Sequence, residues 1–149
     1  MSKGPDKLPA VWAGLHQKEL KRLVKDGYMD SAEAKKLKLE FEFPFAASIG
    51  RRFRFDCVNL HSMTAVEIDG GIWKGGRHCR PAGFRSDREK DRLAQRFGFH
   101  VEHYCSDELT EKNVKEFIEV QRNRMVIEAA GGDRWVMMRF SESVFGKKN

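Results

Sequence analysis

The chain has 149 residues, 40% hydrophobic and 34% charged, which fits one compact soluble domain and excludes a disordered polymer or a pair of domains. It contains no run of about 18 apolar residues, so no membrane partner is expected, and Ser2 to Asp6 does not read as a secretory signal. Three widely spaced cysteines (Cys57, Cys79, Cys105), with no CxxC pair, suit a reduced, cytoplasmic compartment. The net charge of +6 is concentrated: between Gly70 and Gly98 eight Lys or Arg stand against three acids. Such clustering is the expected footprint of a polyanion, with a solvated basic surface as the plainer alternative.

Residues Leu8 to Lys25 read as a helix, with Val11, Trp12, Leu15, Leu20, Leu23 and Val24 recurring at three- and four-residue spacing. Gly27 stops it, and Ser31 to Lys38 forms a second short helix behind an Asp-Ser cap. From Leu39 the period becomes two. Leu39, Phe41, Phe43 and Phe45 alternate with Glu40, Glu42 and Pro44, as in a half-buried strand. Arg52 to Val58 alternates again, and Thr64 to Asp69 is a β-rich run ending at Gly70-Gly71. Ser86 followed by Glu89 has the pattern of a capping box, opening a helix whose inward stripe is Lys90, Leu93, Ala94 and Phe97 and whose end is Gly98. Phe99 to Tyr104 is a further strand, a last helix starts near Leu109, and Arg134 to Phe140 is a short strand candidate. The expected fold is an α/β sandwich with a mixed sheet, its first three strands joined as a meander. It divides into a helical segment (1–38), a core (39–105) and a C-terminal helix and tail (106–149).

The chemistry concentrates where two strands end. Asp56 closes one, Glu67 and Asp69 close the next, and residues two apart share a strand face. Converging carboxylates repel unless a cation sits among them, and an all-oxygen donor set selects Mg²⁺ or Mn²⁺. Such an ion polarises a phosphate and acidifies a bound water, the requirement for phosphodiester hydrolysis. Lys90 lies on the apolar stripe of its helix, where a lysine is unusual without an anion to meet. A lysine snorkelling to solvent is the alternative.

The stretches RRFRFD (51–56), AVEIDGGIWKGGRH (65–78) and DREK (87–90) together resemble the PD-(D/E)XK nuclease superfamily. The likeness is to small phage- and prophage-associated endonucleases related to the very-short-patch-repair enzymes. It covers roughly Glu40 to Tyr104. It implies a restriction-endonuclease-like core, a bacterial or phage-infected host cytoplasm, and a metal held by Asp56 and Glu67 with support from Asp69. It further implies an upstream acid, placed at Glu40, and a substitute lysine at Lys90, because Asp69 stands where the motif carries lysine. The expected activity is endonucleolytic cleavage of DNA, with RNA still open and a homodimer expected for double-strand breaks.

Five residues of the glycine-rich loop extend this expectation. His78 is a candidate contact to the scissile phosphate or a general acid or base, while Lys74, Arg77 and Arg80 are candidate phosphate contacts. Trp73 is a candidate wedge against a base, or else a residue buried over the sheet. His78, Cys79, His103 and Cys105 raise a competing structural Zn²⁺ site, although adjacent His-Cys spacing is poor for a finger. The function from a different class is a catalytically silent nucleic-acid-binding module that keeps the nuclease fold.

Overall fold

The computed structural model describes residues 4–69 and 81–129. In chain order these form α1 (Gly4–Lys25), α2 (Ser31–Lys36), β1 (Glu40–Phe43), β2 (Phe55–Asn59), β3 (Thr64–Asp69), α3 (Pro81–Arg96), β4 (His100–Cys105) and α4 (Glu111–Ala129). Two 3₁₀ turns, Ala47–Ile49 and Ser106–Glu108, punctuate the chain. The sheet runs β1-β2-β3-β4. The first two pairings are antiparallel, and β3 and β4 are parallel, joined through α3. The mixed sheet and its three-strand meander are as the sequence indicates. The strand candidate Arg134 to Phe140 lies outside the described residues. Among those described, no helix is long and apolar enough to cross a membrane.

Helices pack on both faces of the sheet. On one, Trp12 and Leu20 of α1 and Val114, Phe117 and Ile118 of α4 cover Cys57, Val66 and Tyr104. On the other, Ala94 of α3 joins Phe45, Phe55, Val58, Ala65 and Phe99, with Leu93 and Phe97 packed against them. Side chains alternate across β3, so Val66 faces α1 and α4 while Ala65 faces α3. Glu67 and Asp69 therefore share the α3 side.

Several element boundaries differ from the sequence expectation. Helix α1 begins at Gly4 rather than Leu8, and Val11 lies on its exposed side. The strand expected over Leu39 to Phe45 shortens to four residues, because Glu42 takes a left-handed conformation (φ 51°) that breaks the two-residue period. Phe41 is left 48% exposed, while Leu39 and Phe45 join opposite clusters. β2 starts at Phe55, three residues later than Arg52, and its alternation fails at Asp56: Phe55 and Cys57 are two apart yet pack in different clusters.

Helix α3 starts at Pro81, whose fixed φ suits a first helical position. Ser86 therefore lies inside the helix and caps nothing. Glu89 is held instead by the Arg51 guanidinium, one of whose bonds is 2.9 Å. The end of α3 is as expected: Gly98 adopts φ 90°, and the Phe99 amide donates back to the Ala94 carbonyl at 2.9 Å. Asp30 caps α2 through the Glu33 amide at 2.7 Å, although α2 closes at Lys36 rather than Lys38.

Candidate active site

The backbone ladder between β2 and β3 stops at the Cys57–Val66 pair. Beyond it, side chains take over the exchange. The Asp56 amide donates to Glu67 Oε2 at 2.8 Å, and the Ile68 amide donates to Asp56 Oδ2 at 2.7 Å. Two carboxylates thus replace carbonyls as acceptors where the strands part, which fixes their positions from two backbones at once. Lys90 reaches in from the third turn of α3, not the first turn that a Ser86 start implies, and donates to Glu67 Oε1. Asp56, Glu67 and Lys90, from three elements, meet at one point on the α3 face.

Burial sets the electrostatics. Glu67 is only 7% exposed, and desolvation pushes its carboxyl up to about 7 even though Lys90 and the Asp56 amide pull it down. Burial also raises Asp56, against the Ile68 amide and the Lys90 charge; Glu42 and Asp69 add to the rise.

Parallel pairing sets His103 of β4 beside Glu67 and Cys105 beside Asp69. The His103 Nδ1 lies 3.6 Å from Asp69 Oδ2, and its Nε2 lies 3.1 Å from Asp91 Oδ1 on α3. The imidazole pKa is raised, first by the Asp69 bond, then by Asp91, against the opposing effect of burial. Glu67, Asp69, Asp87, Arg88, Lys90, Asp91 and His103 line a cavity of about 40 Å³ between α3 and the ends of β3 and β4. Sheet-end crevices next to crossover helices are where α/β folds place ligands.

Glu40 does not join this group. It pairs with Val58, whereas Glu42, between Phe41 opposite Cys57 and Phe43 opposite Phe55, is the β1 acid whose charge Asp56 feels. Trp73, Lys74, Arg77, His78, Cys79 and Arg80 lie outside the described residues. His103, considered in the sequence only as a zinc ligand, is instead engaged by two aspartates, so it is a poor partner for Cys105 in a thiolate–imidazole site. Cys105, Asp107 and Glu108 do bring ligand atoms within 4.8 Å of one another. Glu108 there accepts the Cys105 amide at 3.0 Å and caps the 3₁₀ turn, which accounts for the grouping.

No protein-family model, curated protein or solved structure matches the chain. The site's own chemistry points to a ligand class. Its carboxylates are hard oxygen donors, and Asp56 Oδ1 accepts no hydrogen bond among the described residues. That donor set fits a small divalent cation.

Proposed function

We propose that this chain is a metal-dependent nuclease with a restriction-endonuclease-like core, hydrolysing phosphodiester bonds in DNA. The supporting observation is the convergence of Asp56, Glu67 and Lys90, a half-buried and a buried carboxylate and one ammonium drawn from β2, β3 and α3. Asp56 and Glu67 would hold Mg²⁺ or Mn²⁺, with Asp69 beside them. Such an ion, when bound, polarises a phosphoryl oxygen and lowers the pKa of a coordinated water. The chain's own residues do the rest. The backbone amides of Asp56 and Ile68 orient the carboxylates, Lys90 places a compact positive charge at the reaction point, and Asp69 and Asp91 fix the His103 ring.

One observation favours the silent binding module as a second reading. Both Glu67 oxygens already have donors, the Asp56 amide and Lys90, so the carboxylate is satisfied without an ion. Incubation of linear, nicked, mismatched and branched DNA with the protein separates the two. The nuclease reading expects cleavage with Mg²⁺ or Mn²⁺ that chelation abolishes and Asp56→Asn removes, with the circular dichroism spectrum retained. Binding without cleavage under either ion supports the silent module.

A further inference from the structure

Helix α3 presents a second, strongly basic face. Residues 85, 88, 92 and 96 recur at three- and four-residue spacing, so at about 100° per residue they form one narrow stripe. All four are exposed arginines. Arg88 is tied to Asp91 at 3.0 Å, but Arg85, Arg92 and Arg96 make no ion pair among the described residues. The acid within their stripe, Glu89, is already held by Arg51. Between Arg85 and Arg96 the stripe spans roughly 16 Å at 1.5 Å per residue, enough for two or three phosphates of a strand.

An aromatic ring stands at the head of this stripe. Phe84 is 55% exposed, and the Arg88 guanidinium lies 5.2 Å from its ring centre. Phe84, Arg85, Arg88 and Arg92 border one shallow concavity, and Arg88 also lines the small cavity at Glu67 and Asp69. The outer surface and the carboxylate site are thus contiguous through a single side chain.

We propose that this face of α3 is a track for nucleic acid with locally unpaired bases, its phosphates on Arg85, Arg92 and Arg96 and one base stacked on Phe84. Charge complementarity supplies the phosphate half. The ring supplies the selectivity. A phenylalanine gains nothing from phosphates, whereas an unstacked base offers it a π-face that a base inside a duplex has already given to its neighbours. Stacking at Phe84 with the strand running past Arg88 delivers the adjacent backbone to the carboxylates. This assignment deepens the nuclease reading by naming its substrate class: single-stranded, flapped or otherwise unpaired segments rather than continuous duplex.

Fluorescence anisotropy of the full chain, in chelator so that nothing is cut, tests it with three labelled oligonucleotides: a single strand, a blunt duplex and a flapped duplex. Wild type is expected to bind the single strand and the flap more tightly than the blunt duplex. Phe84→Ala should weaken the first two about tenfold and leave the duplex unchanged, since base stacking on an aromatic is worth about that much. Phe84→Trp should restore the preference. Arg92→Ala with Arg96→Ala should flatten the salt dependence on the single strand by roughly 1.4 in log–log slope. Wild-type affinity for the single strand in Phe84→Ala, an unchanged slope in the arginine variant, or equal affinity for duplex and single strand overturns the proposal. The catalytic reading fails separately: preserved, Phe84-dependent binding without Mg²⁺-dependent cleavage refutes the nuclease and leaves the track standing.

Discussion

The two faces of the sheet bury different kinds of surface. Under α1 and α4 the contacts are aromatic and aliphatic: Trp12 stacks near Tyr104 at 4.3 Å and meets Phe117 at 5.8 Å. The polar pair there, His16 and Gln121, is joined at 2.8 Å, and burial keeps the imidazole neutral by lowering its pKa to about 4. Under α3 only one end is apolar, where Phe45 stacks on Phe55 at 4.0 Å and Phe99 meets Phe55 edge-on at 4.9 Å. The other end holds Glu67, Asp69, Lys90 and His103. One face thus buys the stability that the other face spends on buried charge, an arrangement expected where a fold carries chemistry.

The sharpest way to break this comparison is to empty the apolar face. Phe117 is fully buried between α1 and the sheet, so Phe117→Ala should cost about 3–5 kcal/mol in urea unfolding. On the charged face Glu67→Gln should behave oppositely. It removes a carboxylate that burial disfavours, so the unfolding midpoint at pH 8 should hold or rise while DNA cleavage falls by at least about a hundredfold. A Glu67→Gln protein that unfolds as easily as Phe117→Ala would make Glu67 a structural acceptor first and a ligand second.

The sequence made the second face legible only in part. Thr64–Asp69 is bounded as its β-rich composition indicates, and the stripe Lys90, Leu93, Ala94 and Phe97 does face the sheet, because helical spacing records burial directly. The start of α3 was obscured by Ser86 and Glu89: the local capping pattern loses to a long-range bond from Arg51, 38 residues away. The pairing of His103 with Asp69 and Asp91 depends on the parallel register of β3 and β4, which no local spacing encodes. The position of Glu42 opposite Asp56 depends on the antiparallel register of β1 and β2, which the alternating EFEF does not encode. The signal available for His103 was its alternation with Val101 and Cys105, which places it on the α3 face once the crossover is known.

A smaller effect sharpens the comparison, because the two faces should titrate in opposite directions. His16, lowered to about 4 from an unfolded value of 6.5, leaves the native state uncharged while the unfolded chain takes up a proton. Its contribution to stability is present above pH 6.5 and is lost as pH falls toward 4, by up to about 1.4 kcal/mol per pH unit. Glu67 is raised from 4.5 to about 7. Its contribution is present below pH 4.5 and is lost as pH rises toward 7. Melting temperatures across pH 4–8 for His16→Gln and Glu67→Gln check both signs: the first variant should flatten the loss of stability on the acid side and the second the loss of stability as pH rises from 4.5 toward 7. Identical profiles for both variants would erase the distinction between the faces.

The smallest effect at neutral pH concerns Lys90, and its size decides whether burial or the ion pair governs Glu67. Burial pushes the Glu67 carboxyl up to about 7, so it carries less charge at pH 7 than at pH 9 and Lys90 has correspondingly less to stabilise there. Losing Lys90 lets Glu67 take up a proton rather than stay charged and unpaired, which limits the cost near neutral pH. At higher pH the proton is scarcer and the limit grows by about 1.4 kcal/mol per unit. Lys90→Met, which keeps the aliphatic stem, should therefore unfold close to wild type at pH 7 and lag increasingly as pH rises, by at most about 3 kcal/mol at pH 9. In the Glu67→Gln background that pH dependence should vanish, because the charge that Lys90 serves is gone. A loss near 3 kcal/mol already at pH 7 would instead mean that Glu67 is fully ionised in the native state, its ion pair outweighing its burial. Cleavage by Lys90→Met gives the functional counterpart. A fall of at least about tenfold at pH 7, where stability barely changes, identifies the ammonium as part of the reaction rather than of the fold.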